Sequence, residues 1–130
     1  MRGVNRRAAQ IRDDGGYRWV GIYGVTDDEI GILGWDGEGE PAHPRFPRTQ
    51  GLCGAAVQSG ETVVVGDVAS DPRYLTTFGS TRSEIVVPIV RAGAIVGVLD
   101  VESDRPNAFD SGDRGRLEEA AAVLARDWDG

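Results

Sequence analysis

Hydrophobic residues alternate with other residues between Arg82 and Asp104, and this pattern predicts two β-strands. One face of each strand is purely apolar, whereas the other is apolar near the turn and acidic at the open end. A short glycine-containing turn joins the two runs, so the stretch predicts a β-hairpin. The acidic positions are Glu84 on the first strand and Asp100 and Glu102 on the second.

The loop length decides how these acids pair. A three-residue loop, 91–93, pairs Val90 with Ala94 and places Glu84 opposite Asp100. A two-residue turn shifts the pairing by one and separates the acids by face, unless a bulge restores the match. We favour the three-residue loop because it keeps the apolar faces together. Like charges side by side destabilise a sheet, so such a cluster needs a cation, an ammonium group or a donor-rich loop. The alternative is solvated strand-end carboxylates with one buried acid paired to an arginine.

Helical spacing of apolar residues appears near both ends of the chain. It predicts a helix over 3–13 and a last helix after the N-cap Asp110, with Asp113 three residues on. The last helix carries an apolar stripe of Leu117, Ala120, Ala121, Leu124, Ala125 and Trp128. Between these helices the pattern predicts strands at 17–25, 30–35 and 62–65, a short helix at 51–59, and long loops at 36–50 and 66–82.

This order predicts an α+β fold, an antiparallel sheet with the N- and C-terminal helices on one face and two long loops over the other. Alternation along strand 17–25 puts Trp19 and Tyr23 on one face with Tyr17. We expect one domain over 1–130, with Trp128 half exposed. The helical stripes permit a homodimer, or simply docking of both helices on the sheet.

The composition of the chain excludes several classes of partner, metal site and cofactor. The net charge of −7 argues against nucleic acid and anionic membranes as partners. No apolar run reaches membrane-span length and no signal segment opens the chain, so we expect a cytoplasmic setting.

The single cysteine, Cys53, excludes an internal disulfide, and we expect an inert buried thiol. No phosphate loop, zinc spacing or dinucleotide fingerprint occurs, so no metal or cofactor is expected. His43 is interpreted as a base, a haem ligand or an ordinary loop residue.

Aromatic and acidic residues meet on one predicted face. Trp19 and Tyr23 with Glu84, Asp100 and Glu102 describe an aromatic-walled acidic cup. An alkylammonium gains from both kinds of side chain, so an amino acid or amine suits the cup. The alternative is a packed sheet face in which tyrosine hydroxyls bond to the acids.

Several segments together resemble the GAF domain family over essentially the whole chain. They are YRWVGIY, GLCGAAVQSGETVVVGDV, DPRYL, TRSEIVVPIV, GVLDVES and NAFD. The resemblance implies an antiparallel sheet between helices and ligand-covering loops. It also implies small-molecule binding, of the kind found within larger signalling proteins.

A narrower resemblance is to the free methionine-R-sulfoxide reductases, which are GAF-type enzymes. It implies that the aromatic pair and the acids of the cup hold the ligand. The cysteines of that family fall, counting without gaps, on His43, Cys53 and Thr77. Only Cys53 is a cysteine here, at a resolving rather than an attacking position, so the resemblance favours binding without catalysis. A divergent reductase using Cys53, and an interaction module with a vestigial pocket, are the alternatives.

Overall fold

A curled six-stranded antiparallel sheet organises the structure, a computed structural model that describes residues 1–129. The strand order is β3-β2-β1-β6-β5-β4. Along the chain the elements are α1 (Val4–Gly15), β1 (Trp19–Val25), β2 (Glu29–Gly37), β3 (Arg45–Pro47), α2 (Gly51–Ser59), β4 (Val63–Val65), a 3₁₀ turn (Val68–Ser70), β5 (Ser83–Arg91), β6 (Ala94–Ser103) and α3 (Ser111–Arg126). The predicted α+β architecture is confirmed. Pattern reading missed β3 and the 3₁₀ turn, because three-residue elements are too short to show periodicity.

The terminal helices α1 and α3 lie together on one face of the sheet. Their apolar stripes pack on Val20 and Ile22 of β1 and on the apolar positions of β5 and β6. Trp128 is only 6% exposed in this core, so the expectation that it is half exposed was wrong. It packs here because Gly97 of β6 leaves room for its ring.

The position of Tyr17 also differs from the prediction, which placed it on the same sheet face as Trp19 and Tyr23. Alternation placed it on the face of Trp19, but β1 begins only at Trp19, so alternation does not apply. Tyr17 packs among the helix-side core residues, and its hydroxyl donates a 2.9 Å hydrogen bond to Asp113 Oδ1.

The start of α3 is fixed by the predicted capping box. The Asp113 backbone N–H donates to Asp110 Oδ1 at 2.9 Å, and the Asp110 backbone N–H donates to Asp113 Oδ2 at 3.0 Å. These reciprocal bonds satisfy two backbone donors that a bare helix N-terminus leaves unpaired.

The β5–β6 hairpin differs from the favoured register. Arg91 pairs with Ala94, so the turn has two residues, and Ala92 and Gly93 have φ values of 52° and 81°. Positive φ at both central residues is the signature of a type I′ turn, whose twist matches that of the strands. The three-residue loop was therefore wrong.

A bulge then restores the match between the acids. Between the Val90–Ile95 and Ile89–Gly97 pairs the register shifts, and Val96 is the extra residue. Beyond the bulge, the side chains of β6 that carry the acids again point to the same face of the sheet as Glu84 on β5, which the two-residue turn alone would have prevented. Glu84 lies opposite Glu102, and Asp100 lies opposite Val86.

The second face of the sheet carries α2 and the two long loops. A separate apolar cluster forms there around Trp19 and Tyr23, with Val86 and Val98 from the hairpin and Leu52 and other residues of α2. Among residues 1–129, no helix is long and apolar enough to cross a bilayer.

The hairpin turn gives a stability prediction. Ala92 sits at φ 52°, a left-handed conformation that costs a residue with a Cβ about 1–2 kcal/mol, whereas asparagine tolerates it better. We expect Ala92→Asn to raise the free energy of unfolding by ~0.5–1 kcal/mol in urea denaturation. The matched control is Ala122→Asn on the exposed side of α3, which should lower it by roughly 0.5 kcal/mol. Equal effects at both positions would contradict the turn assignment.

Candidate functional site

Strand β1 presents Trp19 and Tyr23 to the second face with Gly21 between them. A Cβ at residue 21 would overlap the Trp19 ring and lie 3.1 Å from Tyr23 Cε1. The glycine therefore lets both rings lie flat along the strand. The WVGIY spacing carried this signal in the sequence, and the prediction did not use it.

The three acids lie directly beside these aromatic residues. Trp19 pairs with Glu102 and Gly21 with Asp100 across β1 and β6, while Glu84 pairs with Glu102 across β5 and β6. Each of the three carboxylates is at most 3% exposed. We call Glu84, Asp100 and Glu102 the acid triad, and the triad with Trp19 and Tyr23 the cup. The structure thus brings together all five residues predicted for the ligand site. Asp100 lies opposite Val86, one row along the sheet from Glu84, the residue that was predicted to face it.

Hydrogen bonding leaves part of the triad unpaired. The Thr81 hydroxyl donates to Glu102 Oε1 at 2.9 Å. Asp100 Oδ1 and Glu102 Oε2 are buried and accept no hydrogen bond from a backbone, hydroxyl or arginine donor among residues 1–129. The triad carboxyls lie within hydrogen-bonding reach of one another, so a proton on one carboxyl is a donor that the cup itself can supply. Over the same residues no arginine forms an ion pair with the triad, so the alternative of an acid paired to arginine is not what the structure contains.

Burial dominates the electrostatics of the cup. It raises the pKa of each triad carboxyl well above the ordinary range. Mutual repulsion adds to this effect: the charge of Glu102 raises the pKa of Glu84, that of Glu84 raises the pKa of Asp100, and that of Asp100 raises the pKa of Glu102. Burial likewise raises the pKa of the Tyr23 hydroxyl, followed by the charge of Asp100. The cup therefore favours either bound protons or a positively charged group.

Cys53 lies against the triad from the first turn of α2. It is 4% exposed, which agrees with the predicted buried thiol. Burial and then the charges of Asp100, Glu84 and Glu102 raise the pKa of this thiol well above its usual value. The thiol is therefore protonated at neutral pH in this conformation, and a protonated thiol is a poor nucleophile.

Two loop segments, 38–44 and 71–82, cover the cup, and we call them the lid. Trp19 Nε1 donates to the Gly39 carbonyl at 2.9 Å, and the Ala42 backbone N–H donates to the Thr77 carbonyl at 3.2 Å. Phe78 of the lid meets Trp19 edge to face with ring centroids 5.3 Å apart. Phe46 of β3 meets Tyr23 in the same way at 5.8 Å. Sequence reasoning named Phe78 or Tyr74 as side chains that could fill a vestigial cup, but it did not single out Phe46 or the hydrogen bonds of Gly39 and Ala42, since loop residues carry no period.

A small cavity of about 10 Å³ is left between the lid, α2 and two of the triad carboxylates, Glu84 and Asp100. It is bordered by Cys53, Glu84, Asp100, Tyr23, His43, Thr77, Phe46, Leu52, Gly51 and Leu75. This volume corresponds to a single water-sized particle.

The family follows from comparison of this fold and chain with known proteins. The family model of the GAF domain matches residues 3–126. The chain belongs to the GAF domain family.

Known members carry different functional descriptions. GAF domain-containing protein A of Dictyostelium discoideum is 35% identical over 117 residues, which are 89% of this chain and 73% of that protein. The structure of the type II free methionine-R-sulfoxide reductase from Thermoplasma acidophilum aligns with a TM-score of 0.89 at 32% identity, covering 94% of this chain and 86% of that one. The substrate complex of the free methionine-R-sulfoxide reductase from Neisseria meningitidis aligns with a TM-score of 0.87 at 37% identity, covering 95% and 74%. The chain spans only 60–66% of the length of four further curated relatives.

This GAF domain is therefore related to free methionine-R-sulfoxide reductases. The three positions on which the ungapped count from the sequence places the reductase cysteines, His43, Cys53 and Thr77, all border the same small cavity. The ungapped count thus brings together positions that are neighbours in space, although two of the three side chains are not thiols.

Removing one buried charge from the triad should stabilise the fold. Because burial raises the folded-state pKa of Asp100, the folded protein holds protons that the unfolded chain loses above about pH 4. The contribution of the Asp100 carboxyl to the free energy of unfolding is therefore full below that pH, and it is lost as the pH rises through the folded-state pKa of Asp100. We expect Asp100→Asn to raise the free energy of unfolding by ~1–3 kcal/mol near neutral pH and to flatten its decline with pH in urea denaturation.

The matched control for this measurement is Glu119→Gln on the exposed side of α3. Its effect should stay within roughly 0.5 kcal/mol at every pH. A loss of stability in Asp100→Asn that is constant across the pH range would contradict the electrostatic account of the triad.

Proposed function

We propose that the cup binds a small molecule carrying an ammonium group, of the amino acid or amine class, and that this is a sensor-type binding GAF domain rather than a catalyst. The unpaired oxygens of Asp100 and Glu102 carry the proposal. An unpaired buried acceptor costs about 1–3 kcal/mol, and more when it is charged. An ammonium group supplies three donors together with the positive charge that the triad lacks.

The aromatic wall supports the same class of ligand. Trp19 and Tyr23 are buried beside the triad, and Trp19 lies directly opposite Glu102 across the strands. A cation held at the triad that contacts the face of either ring gains ~0.5–2 kcal/mol from the cation–π interaction. Uncharged ligands gain neither this contact nor the attraction of the carboxylates.

Ligand entry requires the lid to move. The cavity under it holds about 10 Å³, which is too small for an amino acid. The lid is held shut by hydrogen bonds that include Trp19 to Gly39, Ala42 to Thr77 and Thr81 to Glu102, and by the contact between Phe78 and Trp19. Opening requires only local unfolding of these loop contacts, which costs less free energy than global unfolding. The structure then corresponds to the closed conformation.

The thiol chemistry favours binding over catalysis. Reduction of a sulfoxide by thiols needs a thiolate to attack sulfur and a second thiol to release the product. The chain has one cysteine, and burial raises the pKa of that thiol. Cys53 alone therefore supplies neither the activated nucleophile nor the resolving partner.

The test is isothermal titration calorimetry with methionine, its two sulfoxide epimers, other amino acids and small primary amines. We expect saturable binding of at least one of these compounds. Glu84→Gln should weaken that binding at least ~10-fold, because a charge-assisted hydrogen bond contributes about 1.5–3 kcal/mol. Glu119→Gln, an exposed acid outside the cup, should leave the affinity unchanged. Absence of heat with every compound, or equal affinity in both variants, would exclude the proposal.

A divergent reductase is the second candidate, since solved relatives are described as free methionine-R-sulfoxide reductases. It would use Cys53 with an external thiol. We expect no turnover of free methionine-R-sulfoxide in an assay with added thiol reductant. Turnover that Cys53→Ala abolishes would instead identify an enzyme.

An interaction module with a vestigial cup is the third candidate, and the packing of Phe78 on Trp19 favours it. A homodimer through the terminal helices belongs with this candidate. Sedimentation measurements that show a stable dimer, together with no ligand in the calorimetric screen, would support it over the binding domain.

A further inference from the structure

One thiol and two carboxylates converge beneath the lid. Cys53 Sγ, one Glu84 oxygen and one Asp100 oxygen all lie within 4.8 Å of one another, and the three side chains are buried. Ligand atoms around one tetrahedral zinc ion lie roughly 3–4 Å apart. Small side-chain rotations therefore bring these three atoms to metal-binding distance.

The three groups are held by a rigid framework. Glu84 and Asp100 project from the neighbouring strands β5 and β6, whose register the hairpin turn and the Val96 bulge define. Cys53 comes from the first turn of α2, which is packed on the sheet through Leu52 and Ala56. Ligands mounted on packed strands and helices keep their geometry better than ligands on loops.

A second observation concerns the Asp100 carboxylate. Asp100 is 1% exposed, and its Oδ1 atom accepts no hydrogen bond from a backbone, hydroxyl or arginine donor among residues 1–129, so a cation at this place would supply the missing partner. The same side chain borders the 10 Å³ cavity together with Cys53 and Glu84. A cavity of that size accepts one water-sized particle, which is also the scale of a single metal ion.

We propose that Cys53, Glu84 and Asp100 form a site for a divalent ion of the zinc class. The thiol decides the class, because magnesium and calcium take oxygen ligands whereas zinc and cobalt accept mixed sulfur and oxygen sets. Three protein ligands leave one coordination position open. His43 of the lid borders the same cavity.

The metal site is separate from the proposed binding of an ammonium ligand, although both use Glu84 and Asp100. The two occupants therefore compete for these carboxylates. Only the metal requires the Cys53 thiolate, so a Cys53 variant distinguishes them.

The experiment is titration of the metal-free full chain with Co²⁺, followed through the thiolate-to-cobalt charge-transfer band in the near ultraviolet. We expect one equivalent to saturate the band and Zn²⁺ to displace the cobalt. Cys53→Ser should abolish the band. Asp100→Asn and Glu84→Gln should each weaken cobalt affinity at least tenfold, while the exposed control Glu119→Gln leaves it unchanged. Circular dichroism verifies that each variant is folded.

Two results would overturn the metal site. The first is the absence of a saturable band in the wild-type protein. The second is a band whose affinity neither carboxylate variant changes, which means that cobalt binds the thiol alone. Calorimetric titration of Cys53→Ser with the amine panel separates this outcome from the proposed function, because ammonium binding should persist in that variant.

Discussion

The burial of three carboxylates side by side on one sheet face is the constraint on which the rest of this structure depends. Glu84, Asp100 and Glu102 occupy adjacent rows of β5 and β6, where like charges repel and water is excluded. The Thr81 hydroxyl meets only part of their hydrogen-bonding capacity. Such an arrangement lowers stability unless protons or a cation neutralise it. The cost in stability is consistent with the ligand site that we propose for these carboxylates.

The opposite face of the sheet supplies the stability that offsets this cost. Helices α1 and α3 cover it with a continuous apolar core that includes Val20, Leu99 and Trp128. Burial of such side chains contributes about 25 cal/mol per Å² of apolar surface. The molecule thus divides its sheet into a stabilising face under the terminal helices and a charged face under α2 and the lid.

Within the GAF family this division leaves the chemistry to a few positions around one cavity. His43, Cys53 and Thr77 border it together with two of the acids. Their side chains differ in the properties that matter for reaction, because only Cys53 offers a thiol and its surroundings raise the pKa of that thiol. The two occupants that we propose for this cup, an ammonium group and a metal ion, share a positive charge.

The sequence by itself predicted the order of the helices and of every strand except β3, the α+β architecture, the capping box at Asp110 and the five residues that lie together in the cup. These follow from local signals, namely periodicity, capping chemistry and alternation, which act over a few residues. Only the tertiary structure decided the register of the hairpin, because the turn at Ala92 and the bulge at Val96 each shift the pairing by one residue. Together they return the acids to one face, but they place Glu84 opposite Glu102 rather than opposite Asp100. The tertiary structure also decided that Cys53 joins the acids and that the lid closes over them. Both depend on contacts between segments distant along the chain, for which a single sequence carries no periodic signal.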